Sequence, residues 1–167
     1  MSIFENTVMI QRKRTVGRKA AEYISLFFAI LSLAGIVMLN PFLFLTPTIV
    51  LAALYYFVHK YGEQEFEYTY IEGEIDFDRI SGKSRRKSIA KIDMEDLLLI
   101  APEGSHELDS YLTNPSAVKK DCTSGYPDRK HYCLVYKNGN EIGIIAFEPD
   151  ENFLSIIRQK NMRKVIL

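Results

Sequence analysis

No charged residue occurs between Glu22 and His59, and no motif of a known enzyme or cofactor site occurs anywhere in the sequence. The uncharged stretch disfavours a pair of soluble helices, because neither helix would present a polar face to water. No glycine-rich phosphate loop is present, and no serine lies in a nucleophile elbow. These absences indicate where the protein resides more clearly than what it does.

The formal net charge is zero, because 21 Lys and Arg residues balance 21 Asp and Glu residues. A globally basic nucleic-acid-binding protein is therefore not expected, and we predict no nucleic-acid partner. The distribution of charge is nevertheless uneven. Five bases precede the uncharged stretch, within a region 1–22 that we interpret as a basic cytoplasmic N-terminus: Arg12, Lys13, Arg14, Arg18 and Lys19.

Within the uncharged stretch the apolar run breaks once, at Asn40-Pro41. Because about 20 apolar residues cross a bilayer, residues 23–58 predict two transmembrane helices, at about 23–39 and 42–58. Pro41 lacks an amide hydrogen and disfavours helical geometry at Asn40, so a tight turn is expected there. A competing layout places the turn at Thr46-Pro47. Small residues that permit close helix contact, within the hairpin or between copies, are Ala29, Ser32, Gly35, Ala52 and Ala53.

The five bases before the first span are topology-determining and predict a cytoplasmic N-terminus. A helical hairpin returns the chain to its starting side, so residues 63–167 are also predicted to be cytoplasmic. We therefore expect a multi-pass protein of the cell (inner or plasma) membrane, with both termini cytoplasmic and the lipid bilayer as a partner. A cleaved signal peptide is the alternative, although the second apolar stretch and the lack of a cleavage site disfavour it. Transport is disfavoured because the spans contain no ionisable residue.

The region after the spans alternates apolar and polar residues, which is typical of strands. Four strands are predicted as an antiparallel meander with turns at Glu72-Gly73 and Ser81-Gly82-Lys83: 65–71, 74–78, 85–92 and 96–101. A short helix is expected at 106–112.

The last third of the sequence predicts more strands and one final helix. Asn138-Gly139, a dipeptide favoured in hairpin turns, separates two strands. Asp150 is a preferred N-cap residue and predicts a helix over about 150–163. The predicted fold class is a membrane α-helical hairpin plus an α+β, mostly-β cytoplasmic domain. Its six or seven antiparallel strands, capped by the C-terminal helix, include 117–122, 132–136 and 142–147.

The order of a four-strand sheet, a three-strand sheet and a capping helix is similar to a pleckstrin-homology-like (PH-like) barrel. A second likeness rests on the segments Phe66–Tyr70, Gly73–Asp76, Lys83–Lys87, Ala101–Glu103, Phe147–Asp150 and Arg163–Val165. Over nearly its whole length the chain resembles an uncharacterised family of short two-span bacterial membrane proteins. The resemblance implies a PH-like cytoplasmic domain of unknown function, and it implies no catalytic or binding residue.

The basic run on the second predicted turn is the main candidate site. Each base near an anionic membrane surface contributes about 1 kcal/mol of attraction. The run therefore predicts contact with lipid headgroups, and a solvated turn that only reinforces topology is the alternative. Its lipid-contact candidates are Lys83, Arg85, Arg86 and Lys87.

Other chemistry-bearing residues do not assemble into a site. Cys122, His131 and Cys133 match no paired-ligand spacing, and His106 is too distant to complete a zinc site, so no metal is expected. Cytoplasmic cysteines are expected to be reduced. Strand alternation accounts for most of the acids, which are Glu72, Glu74, Asp76, Asp78, Asp93, Glu95 and Asp96. We predict no catalytic residue, no enzyme activity and no cofactor.

The sequence thus favours a non-enzymatic, membrane-anchored protein. Its PH-like domain would bind a cytoplasmic protein or anionic lipid headgroups. The alternative hypothesis is an accessory or structural subunit of a larger membrane complex, in which a membrane protein is the partner.

Overall fold

The computed structural model describes residues 5–167. The chain divides into two compact units. One is a two-sheet domain made of the segment up to Arg12, Glu65–Ile80 and Arg86–Leu167. The other is a helical hairpin, Lys13–Gln64, together with the turn segment Ser81–Arg85.

The hairpin consists of α1 (Val16–Met38) and α2 (Pro41–Gly62). Its turn lies at the predicted place, because the Asn40 side chain accepts hydrogen bonds from the amides of Phe42 and Leu43, at 2.9 and 3.3 Å. Pro41 occupies the first helical position, where no amide hydrogen is needed. The competing turn at Thr46-Pro47 is wrong, since Pro47 lies inside α2.

Each helix extends beyond one end of the uncharged stretch. α1 begins at residue 16 instead of 23, and α2 ends at residue 62 instead of 58. Lys, Arg and Glu are good helix formers, so charged residues continue each helix beyond its apolar part. Each helix is long and apolar enough to cross a membrane, by length and composition.

Small and hydroxylated residues form the contact between α1 and α2. The Thr48 hydroxyl donates to Ser32 Oγ at 2.8 Å, and the Ser32 hydroxyl donates to the Phe44 carbonyl at 3.2 Å. Gly35 faces the Phe44 ring so closely that an added Cβ would lie 2.7 Å from it. Ser32 and Gly35 therefore serve the contact within the hairpin, whereas Ala52 and Ala53 are exposed.

We expect Gly35→Ala to destabilise the hairpin by about 1–2 kcal/mol. The crowding against Phe44 costs roughly 1–3 kcal/mol, which exceeds the gain of about 0.5–1 kcal/mol in helix propensity. The measurement is loss of helical circular dichroism during denaturation of the full chain in detergent. Gly17→Ala is the matched control, since no atom lies within 4 Å of its Cβ position. Equal stability of the two variants would contradict the packing.

The first sheet has the order β1-β2-β3-β4. Its strands are β1 (Glu5–Gln11), β2 (Gln64–Ile71), β3 (Glu74–Ser81) and β4 (Arg85–Asp93). The predicted Glu72-Gly73 turn is confirmed, and both residues have positive φ angles, 51° and 105°, as a tight hairpin turn requires. Alternate side chains are buried on one face of this sheet: Ile10, Phe66, Tyr68, Tyr70, Ile75 and Phe77.

The second sheet has the order β5-β7-β8-β6. Its strands are β5 (Leu97–Pro102), β6 (Val118–Asp121), β7 (Tyr132–Asn138) and β8 (Glu141–Phe147). A 3₁₀ turn, His106–Leu108, continues into α3 (Asp109–Leu112) between β5 and β6. The closing helix α4 (Glu151–Lys160) is capped by Asp150, which accepts a hydrogen bond from the Phe153 amide at 2.7 Å.

The core of the domain joins the two sheets. The rings of Tyr68, Phe77 and Phe147 are fully buried, with centroids 5.3–5.6 Å apart. Phe153 and Ile157 of α4 are buried in the same cluster. The helix thus covers the core, as its apolar spacing predicts.

Three features differ from the predicted arrangement. Residues 5–167 form eight strands instead of the predicted six or seven, because the unpredicted β1 pairs with β2 along seven residues. The strand predicted to end the meander, β5, belongs instead to the second sheet and pairs with β7. The exclusively antiparallel arrangement is wrong for β6, which is parallel to β8. Each difference concerns which strands pair, and pairing depends on partners distant in sequence.

Candidate functional site

The structure separates the four lipid-contact candidates. Arg86 contacts the carboxylates of Glu67 and Asp78, the latter at 3.2 Å. The side chains of these acids are only 13% and 17% exposed, so the ion pairs are partly shielded from water. The charge of Arg86 is therefore largely compensated on the outward face of the first sheet.

Lys83 lies on the turn between β3 and β4, and Arg85 is the first residue of β4. The Lys83 ammonium is 4.0 Å from Glu63 and its side chain is 74% exposed, a geometry that contributes little to stability. The Arg85 guanidinium lies over the Tyr61 ring, 5.8 Å from its centroid. Both cations remain at the surface and can reach an external anion.

The bases predicted to determine topology occupy different environments. Arg14 bridges Glu22, at 3.1 Å, and Glu63, at 2.8 Å. His59 also contacts Glu22, at 2.7 Å, so polar side chains join the two helices at the end opposite the turn. Lys13, Arg18 and Lys19 are exposed.

The remaining candidate, Lys87, lines a cleft of about 330 Å³ within the two-sheet domain. Arg12, Arg79 and Lys120 line the same cleft, together with the carboxylate of Asp121. Strand β4 contributes Lys87 and the neighbouring strand β3 contributes Arg79, whereas Lys120 and Asp121 come from β6 of the second sheet. The cleft, which we call the basic cleft, thus lies where the edges of the two sheets meet.

Sequence reasoning missed Arg79 and Lys120 as site residues. Arg79 follows Ile75 and Phe77 at the same strand spacing, so alternation places it on the side of the buried residues. A basic residue on the buried side of a strand is unusual, and it could have identified Arg79 as a candidate site residue. Lys120 carried no comparable signal, because β6 is short and its partner strand could not be identified.

A second polar cluster surrounds the buried carboxylate of Glu148, whose side chain is 4% exposed. Its Oε1 accepts hydrogen bonds from the amide and hydroxyl of Ser124, both at 2.7 Å, and lies 3.2 Å from His131 Nε2. The other imidazole nitrogen of His131 is 3.1 Å from Glu103. Glu148 therefore attaches the loop after β6 to the end of β8.

The cysteines have the properties of core residues. Burial raises the pKa of Cys122 to about 12, and burial also raises the pKa of Cys133. Both thiols are therefore protonated at neutral pH, and a protonated thiol is a poor nucleophile and a poor metal ligand. Within residues 5–167, no group of three or more His, Cys, Asp or Glu side chains is placed to hold a metal ion.

The predicted acids do not converge on a catalytic arrangement. Glu74, Asp76 and Asp78 alternate with the buried Ile75 and Phe77, which places them on the outward face of β3. Burial raises the pKa of Asp76, and Glu74 lies 2.5 Å from Lys91. Glu74 and Asp78 thus take part in surface charge pairing on the first sheet.

Comparison with known families agrees with this architecture. A family model described as a bacterial PH-like domain (DUF6106) matches residues 5–167. The chain belongs to this family. No curated protein and no solved structure matches it. In this DUF6106 chain the helical hairpin is inserted between the first two strands of the PH-like domain, and the match begins with β1.

Proposed function

We propose that the protein is a non-enzymatic membrane anchor. Its PH-like domain, presented on the cytoplasmic side of the cell membrane, binds anionic lipid headgroups or a cytoplasmic protein. Anchoring raises the effective concentration of the domain near the membrane, so that a second, weak contact suffices for binding. The observation that carries this proposal is the apolar hairpin inserted within the domain.

The surface of the hairpin supports insertion into lipid. α1 and α2 have 23 and 22 residues, which corresponds to roughly 33 Å of helix against a hydrocarbon thickness of about 30 Å. Large apolar side chains are exposed along both helices, for example Phe27 at 62% and Ile49 at 61%. Water-soluble proteins rarely expose apolar surface of this extent.

The pairing of β1 supports the proposed topology. β1 precedes α1 and β2 follows α2, and the two strands pair along their whole length. Since they belong to one folded sheet, they must lie on the same side of any membrane that the hairpin crosses. The bases beside α1 then favour the cytoplasm for both.

Membrane residence and topology can be tested in cells. We expect the full chain to remain in the membrane pellet after alkaline carbonate extraction. A reporter fused after Leu167 should be active in the cytoplasm, whereas one inserted at Asn40 should report the opposite side. Extraction into the supernatant, or a C-terminus outside the cell, would overturn the anchor.

The alternative function is an accessory subunit of a larger membrane complex, and it is supported by the positions of Ala52 and Ala53. These small residues are exposed on α2, where another helix can approach closely. Purification of the full chain in mild detergent distinguishes the two functions. A stoichiometric membrane protein that follows the chain through purification would favour the subunit, and its absence would favour the anchor.

A further inference from the structure

We propose that the basic cleft, lined by Arg12, Arg79, Lys87 and Lys120, binds a phosphate group. Two sources carry this chemistry, the headgroup of an anionic phospholipid and a soluble phosphate compound. The lipid source rests on the membrane anchoring proposed above. The binding chemistry itself rests on the cleft alone.

Arg79 gives the strongest indication that the cleft binds an anion. Its side chain is half-buried in the cleft, and it forms no ion pair or hydrogen bond with any other described residue. A guanidinium is always charged and carries five hydrogen-bond donors, so leaving it partly buried without an acceptor is costly. The paired oxygens of a phosphate match this planar group in a bidentate geometry.

The charges around Arg79 leave the cleft positive. Four bases face one acid, Asp121, and that acid is already engaged by Arg12 at 2.8 Å. Asp121 also accepts hydrogen bonds from the amide and hydroxyl of Thr123, at 2.9 and 2.7 Å. Asp121 is therefore committed to Arg12 and to its own loop, and it does not neutralise Arg79 or Lys87.

The cleft is held in shape by contacts that leave its charge available. The Lys120 ammonium donates to the Ile89 carbonyl at 2.8 Å, which connects β6 to β4 without cancelling the positive charge. The Arg12 guanidinium lies 5.5 Å from the centroid of the Phe66 ring, which orients it beside Asp121. A volume of about 330 Å³ is at the small end of ligand sites, which suits a phosphate group with a short substituent.

Chain length favours a lipid as the source. Arg12 precedes the first residue of α1 by four positions, and Phe66 follows the last residue of α2 by four. A stretch of four residues spans at most about 14 Å. If the helices cross a membrane, both residues are therefore tethered close to its headgroups.

The test uses the purified full chain in nanodiscs made from neutral phosphatidylcholine alone or with phosphatidylglycerol added. Inorganic phosphate is titrated into the neutral discs by calorimetry, and thermal unfolding is compared between the two lipid compositions. The cleft variant is Arg79→Gln with Lys87→Gln. The matched control is Lys83→Gln with Arg85→Gln, which removes the same charge from exposed positions in the turn and at the start of β4.

We expect the cleft variant to weaken phosphate binding by about tenfold or more, or to abolish the stabilisation by phosphatidylglycerol, whereas the control changes either by less than about twofold. Stabilisation by phosphatidylglycerol without binding of inorganic phosphate identifies a lipid as the ligand. Binding of inorganic phosphate without any effect of lipid composition identifies a soluble phosphate compound.

Two results would overturn the inference: no response to either probe, or equal losses in the cleft and control variants. Circular dichroism of each variant shows that a loss of binding is not a loss of folding. Carbonate extraction keeps the two proposals distinguishable. If the chain stays in the membrane but binds no phosphate, only the cleft proposal is refuted. If it binds phosphate but is extracted from the membrane, only the anchor proposal is refuted.

Discussion

A shortened protein in which a Gly/Ser linker of about four residues joins Arg12 to Gln64 is expected to fold as a soluble two-sheet domain. The same protein without residues 1–12 is expected not to fold stably. The linker can be short because Gln11 pairs directly with Glu65, so the ends to be joined are adjacent in the sheet. We therefore expect the hairpin to be dispensable for folding of the domain and β1 to be required.

The expected effect of losing β1 is large because the strand completes the core. Ile10 is only 6% exposed, and Val8 packs against the same cluster. Each apolar side chain of this kind contributes roughly 1.5–3 kcal/mol when fully buried. Together with a ladder of seven residue pairs, this approaches the total stability of a small domain, about 5–15 kcal/mol.

Urea denaturation followed by near-ultraviolet circular dichroism measures this effect. Within the linked protein, Ile10→Asp should remove most of the stability because a charge cannot be buried there without a partner. Met9→Asp is the matched control, since Met9 lies next to Ile10 on β1 and is 58% exposed. Similar midpoints for the two variants would show that β1 is not part of the folded core.

Glu148→Ala is expected to destabilise the PH-like domain by about 3–5 kcal/mol, the cost of breaking a buried charge network. The substitution leaves the Ser124 amide and hydroxyl without their acceptor and removes one of the two acids beside His131. Each buried polar group left unpaired costs about 1–3 kcal/mol. The loop that follows β6 should then detach from β8.

Thermal unfolding and hydrogen exchange of the full chain measure this loss. Protection of the Ser124 amide should fall in Glu148→Ala even below the unfolding temperature. Glu103→Ala provides the control, because Glu103 contacts the same imidazole but is 61% exposed. If Glu103→Ala lowered the stability as much as Glu148→Ala, the stabilisation would come from the contacts of His131 and not from the buried carboxylate of Glu148.

Much of the fold was predictable because local patterns were strong. The alternation of Phe66, Tyr68 and Tyr70 identifies β2, since only one face of the strand is buried. Asn40-Pro41 identifies the helical turn for reasons of backbone geometry alone. The predicted hairpin near Asn138-Gly139 is present, although β7 ends at Asn138 and the two turn residues are Gly139 and Asn140.

β1 was missed because its signal is weak and its partner is remote. Val8 and Ile10 are the inward residues of a strand of only seven, and Gln11 pairs with a residue 54 positions later. Neither the existence of that partner nor its register can be inferred from the residues around β1. The basic residues that follow also resemble an unstructured, topology-determining tail.

The basic run shows the same limitation at the level of the site. Arg86 and Lys87 are neighbours in sequence, but successive strand residues point to opposite faces of a sheet. Arg86 consequently pairs with Glu67 and Asp78, whereas Lys87 faces the basic cleft. A cluster of charge in the sequence is therefore not one surface in the protein.

The amino-acid order alone specifies the apolar hairpin, its turn, most of the strands and the covering helix, because each follows from the chemistry of neighbouring residues. Tertiary structure alone decides that the segment before the hairpin completes the first sheet. It also decides that bases from four strands or their ends meet in one cleft: Arg12, Arg79, Lys87 and Lys120. The physical reason is that side chains far apart in sequence become neighbours only after strand pairing and register are established.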